Sequence, residues 1–183
     1  MLKIVLFVVA SAGIVYISWA SLRAPRSHGF YRFFAWEAIL ALILLNAEYW
    51  FRDPFALYQV ISWIFLIASA FLVVQAVHLL RRVGKPNGQR SDHGAAIGFE
   101  KTTQLVAVGA YKHIRHPMYS SLLFLAWGVL LKDLSWSSAI LALAATVFLV
   151  ATAKAEEAEN IRFFGTYYQA YIKQTKMFIP FLF

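Results

Sequence analysis

Residues 109–119, GAYKHIRHPMY, combine two basic residues, two histidines and two tyrosines directly before an apolar run. Guanidinium, imidazolium and phenol groups donate hydrogen bonds to carboxylates and phosphates, so this segment could bind an anionic group. Pro117 suits the first turn of a helix, where no N–H donor is needed and the following amides point towards an anion. The segment therefore predicts a polar site at the start of a helix.

A second cluster lies at the end of the last apolar run. It consists of Glu156 and Glu157, followed by the aromatic residues 163–171, FFGTYYQAY. A carboxylate here could hold a cationic group, and aromatic faces also attract cations. We interpret Tyr167, Tyr168 and Tyr171 as anchors at the membrane interface and Gly165 as a break between helices. The two clusters are predicted to face each other across one pocket.

The composition indicates a membrane protein, because 61% of the 183 residues are hydrophobic and only 14% are charged, against about a quarter charged in soluble domains. Crossing a hydrocarbon core of about 30 Å takes roughly 20 helical residues. We predict an all-α integral membrane protein, a single domain over residues 1–183 with five transmembrane helices. The predicted spans are residues 2–22, 33–50, 55–80, 116–131 and 134–155, the fourth being short enough to require a hairpin with the fifth.

The basic residues are distributed unevenly between the predicted sides of the membrane. Residues 23–32, 81–115 and 154–176 hold three, seven and four Lys or Arg, whereas the opposite side has Lys3, Arg52 and Lys132. Under the positive-inside rule, this distribution places the N-terminus outside and the C-terminus in the cytosol. We expect a multi-pass protein of a prokaryotic cytoplasmic membrane, with a cytosolic cofactor-binding loop at residues 81–115 and a C-terminal interfacial segment at residues 156–183.

Several classes of site are excluded or disfavoured. The absence of cysteine excludes disulfides and thiolate chemistry. His113 and His116 have a spacing seen in metal sites, but Pro117 disfavours helical geometry at His116 and no neighbouring carboxylate completes a shell, so no metal is expected. The six tryptophans lie mostly near span ends, as membrane anchors do, and no nucleic acid partner is expected. Glu37 and Glu48 are explained as well by headgroup solvation as by function.

The C-terminal half resembles the isoprenylcysteine carboxyl methyltransferase family and its prokaryotic relatives. The resemblance rests on Gly-x-Tyr-x-x-x-Arg-His-Pro-x-Tyr from Gly109, a helical hairpin, the Glu pair, Phe-Gly, Tyr-x-x-x-Tyr and a late proline, over residues 103–180. It implies a membrane enzyme that uses S-adenosyl-L-methionine at the cytosolic face. The implied cofactor contacts are Thr103, Gln104, Leu105, Val106, Tyr111, His116, Pro117, Met118, Tyr119 and Glu156.

The same resemblance bears on the methyl acceptor. Arg115 could orient an anionic acceptor, and a phenol or amine acceptor would need a base, for which Glu157 or His113 is the nearest candidate. Thr103 and Thr152 stand where the protein-modifying members commonly have His and Arg. That Arg is associated with the substrate in those relatives, so the acceptor stays open between a prenylcysteine carboxylate and a small lipid or hydrophobic molecule.

Two other functions remain as alternatives. A membrane reductase that uses NADPH would share the C-terminal architecture and should show a larger set of phosphate-binding cations. A non-catalytic lipid-binding or transport protein would show polar residues distributed along its spans, yet the later spans are almost purely apolar. The polar groups gather at one face, which favours chemistry at the membrane surface on a lipophilic small molecule or lipid, with the surrounding membrane lipids as the other expected partners.

Overall fold

The computed structural model describes residues 1–86 and 102–181, and these form six α-helices. The helices are α1 (Leu2–Leu22), α2 (His28–Leu45), α3 (Leu57–Arg82), α4 (Pro117–Leu130), α5 (Trp136–Phe164) and α6 (Thr166–Gln174). Short 3-10 helices occur at Ala47–Tyr49 and Gly109–Lys112. The described residues contain no strand, only isolated bridges. The all-α prediction is confirmed to this extent.

Four helices, α1, α2, α3 and α5, are long and apolar enough to cross a membrane, which supports a multi-pass membrane protein. Helix α4 has 14 residues and is therefore about 21 Å long, less than a hydrocarbon core of about 30 Å. Orientation across the membrane stays a prediction from the charge distribution. The part of the predicted cofactor loop at residues 87–101 lies outside the described residues.

Helix ends differ from the predicted spans where polar residues determine them. Helix α2 begins at His28 rather than residue 33, because Ser27 caps it by accepting a hydrogen bond from the amide of Phe30 at 3.2 Å. Helix α5 continues through the Glu pair to Phe164, beyond the end of the predicted span at residue 155. Gly165 separates α5 from α6 with φ of 61°, which favours glycine. The predicted break at this residue agrees with the structure.

The helix bundle is built mainly from two antiparallel pairs, α2 with α5 and α3 with α4, with α1 lying against α2. Small residues allow close approach, as is common in membrane bundles. A Cβ on Gly128 would meet side-chain atoms of Phe65 and Leu66 at 3.2 Å, which explains the glycine where α4 meets α3. The buried small residues at the centre include Ala35, Ala38, Ala126, Ala142, Ala145 and Ala153.

The three basic segments meet at one end of the bundle. The imidazole of His28, at the start of α2, is 2.5 Å from a carboxylate oxygen of Glu159 on α5. The hydroxyl of Tyr171 on α6 donates to the carbonyl of Tyr111 at 2.6 Å. Residues that are distant in sequence are thereby brought around the start of α4.

Candidate functional site

The start of α4 is held by the C-terminal strap, which we define as residues 175–179. The amide of Arg115 donates to the carbonyl of Lys176 at 2.8 Å, and the amide of His116 donates to the carbonyl of Met177 at 3.2 Å. His116 precedes Pro117 and has non-helical backbone angles, as expected before proline. The strap therefore fixes the backbone that carries the Arg-His pair.

His116 lies between the two acidic residues of α5 and is only 4% exposed. Its Nδ1 is 3.6 Å from Glu156 Oε2, and its Nε2 is 3.3 Å from Glu157 Oε1. Burial alone would lower the pKa of His116, but hydrogen bonds and attraction to these two carboxylates raise it above its usual value. The environment therefore favours the imidazolium form.

Arg115 is fixed by Glu157 and by the strap. Its Nε donates to Glu157 Oε1 at 2.6 Å, and its Nη1 donates to the carbonyls of Thr175 and Ile172. A guanidinium held by several acceptors presents its remaining face in a defined direction. The predicted proximity of the segment containing Arg115 and His116 to the Glu pair agrees with these distances.

Aromatic side chains form one side of the site. Tyr119 stacks on His116 with ring centroids 5.4 Å apart and an interplanar angle of 20°. Tyr168 and Tyr171 are buried, at 3% and 7% exposure. Burial, together with the charge of Glu156, raises the pKa of Tyr168 above its ordinary value, and burial raises the pKa of Tyr171. Both phenols therefore stay protonated at neutral pH.

These groups surround a pocket with about 570 Å³ of unfilled space, part of it open to solvent. Concave spaces lined by a few convergent polar groups are typical of ligand sites. Eight predicted site residues line it: Leu105, Val106, Tyr111, Arg115, His116, Met118, Tyr119 and Glu156. The remaining lining residues are Leu80, Thr102, Asn160, Phe164, Tyr168 and Tyr171.

Four predicted site residues do not line this pocket. Thr103 and Gln104 are exposed, and the hydroxyl of Thr103 donates to the carbonyl of Lys85 at 2.9 Å. Pro117 is buried within the first turn of α4. Glu157 lies behind the lining, where it pairs with Arg115. This position favours a positioning role for Glu157 over proton abstraction from an acceptor, because a carboxylate bound to a guanidinium is a weaker base.

The interpretation of Tyr168 and Tyr171 as interfacial anchors is wrong, since both are buried at the pocket. Tyr167 differs, because it is 80% exposed as an anchor would be. The signal that could have identified the lining was a helical stripe that continues from Glu156 through Asn160 and Phe164 to Tyr168, each four residues from the last. Gly165 ends α5 within this stripe, yet Tyr168, which follows it on α6, still lines the pocket.

No group of three His, Cys, Asp or Glu residues suited to a metal ion occurs in residues 1–86 and 102–181. The pocket is lined by carboxylate, imidazole, guanidinium and aromatic groups. An anionic group, a cationic group and an aromatic ring could each find a partner there.

A family model described as phospholipid methyltransferase matches residues 57–167, more than half of the chain. This family is related to the isoprenylcysteine-type membrane methyltransferases, so the predicted relation to membrane methyltransferases is confirmed. The match does not favour the reductase or non-catalytic alternatives. No curated protein and no solved structure matches the chain significantly.

Proposed function

The chain belongs to the phospholipid methyltransferase family, and from this membership we propose that it transfers a methyl group from S-adenosyl-L-methionine to a lipophilic acceptor at the membrane surface. The observation that carries the proposal is the convergence of Glu156, His116 and Arg115 around one pocket at the end of the apolar helices. Ionisable groups with shifted pKa values at a cleft are typical of functional sites.

The donor set of the pocket fits this cofactor. S-adenosyl-L-methionine supplies a methyl group that is already activated by its sulfonium. Glu156 would hold the ammonium of the cofactor, as a charge-assisted partner. The faces of Tyr111, Tyr168 and Tyr171, which line the pocket, suit the adenine ring and the sulfonium. The cofactor carboxylate would lie at the start of α4, where the helix dipole favours negative charge.

The protein's main task in this reaction is to position the reactants. Holding two reactants in line can lower the barrier by about 7–11 kcal/mol. Arg115 would orient an anionic group of the acceptor, and Glu157 would fix Arg115 through the bond at 2.6 Å. The backbone hydrogen bonds between the strap and the start of α4 would keep this arrangement constant between turnovers.

We propose a lipid as the acceptor, with a phospholipid as the first class to test. Thr152, which stands where isoprenylcysteine-type enzymes have the substrate-associated Arg, is fully buried and donates to the carbonyl of Phe148 at 2.7 Å. It brings no positive charge to the acceptor. A carboxylate acceptor would need no base, whereas an amine would have to arrive unprotonated or release its proton to solvent or a nearby base.

The experiment is a methyl-transfer assay with the purified full-length protein in lipid nanodiscs. Cofactor labelled in its methyl group is supplied together with extracted native lipids, and label is measured in the organic phase. We expect label in a lipid product from the wild-type protein and a large loss in Glu156→Gln. Equal labelling by Glu156→Gln, or no labelling of any lipid despite cofactor binding, would contradict the proposal.

A further inference from the structure

A second concave surface lies beside the pocket, and we call it the basic groove. Its charged lining consists of Lys112 and His113 before α4, Lys173 of α6 and Lys176 of the strap. Thr175, whose carbonyl accepts a hydrogen bond from Arg115, also lines it. The guanidinium of Arg115 therefore links the basic groove to the pocket, which it also lines.

The basic groove carries a charge imbalance. Three ammonium groups and one imidazole line it, together with no Asp or Glu. Lys112, Lys173 and Lys176 are exposed, and within the described residues none of them pairs with a carboxylate. Like charges around one groove repel one another, and an anion between them would reduce this repulsion. The groove has about 600 Å³ of unfilled space, including open solvent.

A groove at the opposite end of the molecule provides a comparison. It also contains two cations, Arg52 and Lys132, but Asp53 and Asp133 line it as well. Arg52 Nε is 3.8 Å from Asp53 Oδ2. Charge is thus balanced at that end and unbalanced in the basic groove, so the imbalance is a property of one site and not of every polar loop in the protein.

The surroundings of the basic groove indicate which anion it would meet. Phe181, at 86% exposure, lines the groove beside His113, and Tyr167 on α6 is 80% exposed. Exposed aromatic rings next to lysines at the end of apolar helices are typical of the membrane interface. We propose that the basic groove binds the phosphate-bearing headgroup of an anionic phospholipid. This proposal does not depend on methyl transfer.

The test is lipid retention by native mass spectrometry of the full-length protein in detergent. Phosphatidylglycerol and phosphatidylcholine with identical acyl chains are added in equal amounts. We expect the wild-type protein to retain phosphatidylglycerol preferentially, and Lys112→Gln/Lys173→Gln/Lys176→Gln to lose at least about tenfold of that retention, since each basic residue near an anionic surface contributes separately. Inorganic phosphate at the lipid concentration should not displace the lipid.

The matched control is Lys85→Gln/Lys154→Gln/Arg162→Gln, which removes the same charge from exposed positions near this end. It should retain phosphatidylglycerol as the wild type does. An equal loss in the control, unchanged retention in the groove variant, or displacement by inorganic phosphate would each overturn the proposal. The unfolding midpoint is measured for every variant, and Lys173→Gln alone, expected to show a smaller loss, replaces the triple variant if that variant does not fold.

Discussion

The two ends of the helix bundle use buried polar residues differently. At the end opposite the pocket, Asn46 donates to the carbonyl of Val129 at 2.8 Å and accepts from Ser138 at 2.9 Å. Ser62 donates to the carbonyl of Gly128 at 2.6 Å. These groups satisfy one another between helices, as buried polar groups must. At the pocket end, Arg115, His116 and Glu156 also pair, but they line a space.

Lys132 illustrates the same difference. The sequence predicts Lys132 to be one of three cations on the outer side of the membrane, yet its side chain is buried, at 2% exposure. Its ammonium donates to Gln59 at 2.9 Å and lies 3.9 Å from the ring centroid of Trp63. Trp63, predicted to be a membrane anchor, therefore also contacts a buried cation. Mutual pairing thus stabilises one end of the bundle, while the convergence of polar groups around a space makes the other end a candidate site.

The largest expected effect is a loss of cofactor affinity, which should occur on substitution at the pocket end and not at the opposite end. Glu156→Gln removes a negative charge from the pocket and should weaken binding of S-adenosylhomocysteine by about tenfold to a hundredfold, because a hydrogen bond to a charged group contributes about 1.5–3 kcal/mol. Isothermal titration of the detergent-solubilised protein measures it. The control is Glu48→Gln, an exposed carboxylate paired with Lys3 at the other end, which should bind normally. Similar losses of affinity in both variants would contradict the assignment of the cofactor site to the pocket end.

Substitutions of two asparagines, one at each end of the bundle, should affect different quantities. One should lower stability and the other should lower cofactor affinity. Asn46→Ala should destabilise the protein by about 1–2 kcal/mol through lost interhelical hydrogen bonds, while affinity for S-adenosylhomocysteine in the folded protein stays unchanged. Asn160→Ala, in the pocket lining, should reduce affinity more than it lowers the unfolding midpoint. Thermal unfolding and titration of both variants are compared. The reverse pattern would show that the two ends had been assigned the wrong roles.

The pH dependence of stability tests the imidazolium of His116. Because the pKa of His116 is raised above 6.5 in the folded protein, its contribution is fully present below that value and is lost as pH rises through the raised pKa. The groups that face it are Glu156, Glu157 and the ring of Tyr119. The unfolding midpoint of the wild type should therefore fall more towards alkaline pH than that of His116→Gln. Parallel profiles would exclude this role.

The smallest expected effect compares two neighbouring tyrosines. Tyr171→Phe removes the hydrogen bond to the carbonyl of Tyr111 and should cost about 1 kcal/mol of stability, or a few-fold in affinity. Tyr167→Phe changes an exposed hydroxyl and should alter neither quantity. Both are measured by unfolding midpoint and titration. An effect in Tyr167→Phe as large as that in Tyr171→Phe would contradict their assignment to the surface and the pocket.

The helices and the identity of the two clusters could be predicted because both depend on local pattern. Apolar runs indicate spans by length, and the residues around Pro117 and Glu156 carry their chemistry in their types. The strap could not be predicted, because no local signal pairs residues 175–179 with residues 113–116. The burial of Tyr168, Tyr171 and Lys132 was missed for the same reason, since an interfacial aromatic residue and a lining residue look alike in sequence.

The pairing of His28 with Glu159 is the contact least predictable from the sequence. Neither residue belongs to a recognisable motif, and 131 positions separate them. Their contact follows from the packing of α2 along α5, which hydropathy does not specify. Helix α2 begins before the predicted span at residue 33, because Ser27 caps it. The cap at Ser27 is a local contact, whereas the pairing of His28 with Glu159 depends on tertiary packing.

The central claim is that residues around the start of α4 and the end of α5 contact one cofactor molecule. The most direct test is ultraviolet cross-linking of labelled S-adenosyl-L-methionine to the full-length protein, followed by mapping of the labelled peptides. We expect label within residues 102–119 and 156–171, and we expect excess unlabelled S-adenosylhomocysteine to remove it. Label at the opposite end of the bundle, or label that the competitor does not remove, would contradict it.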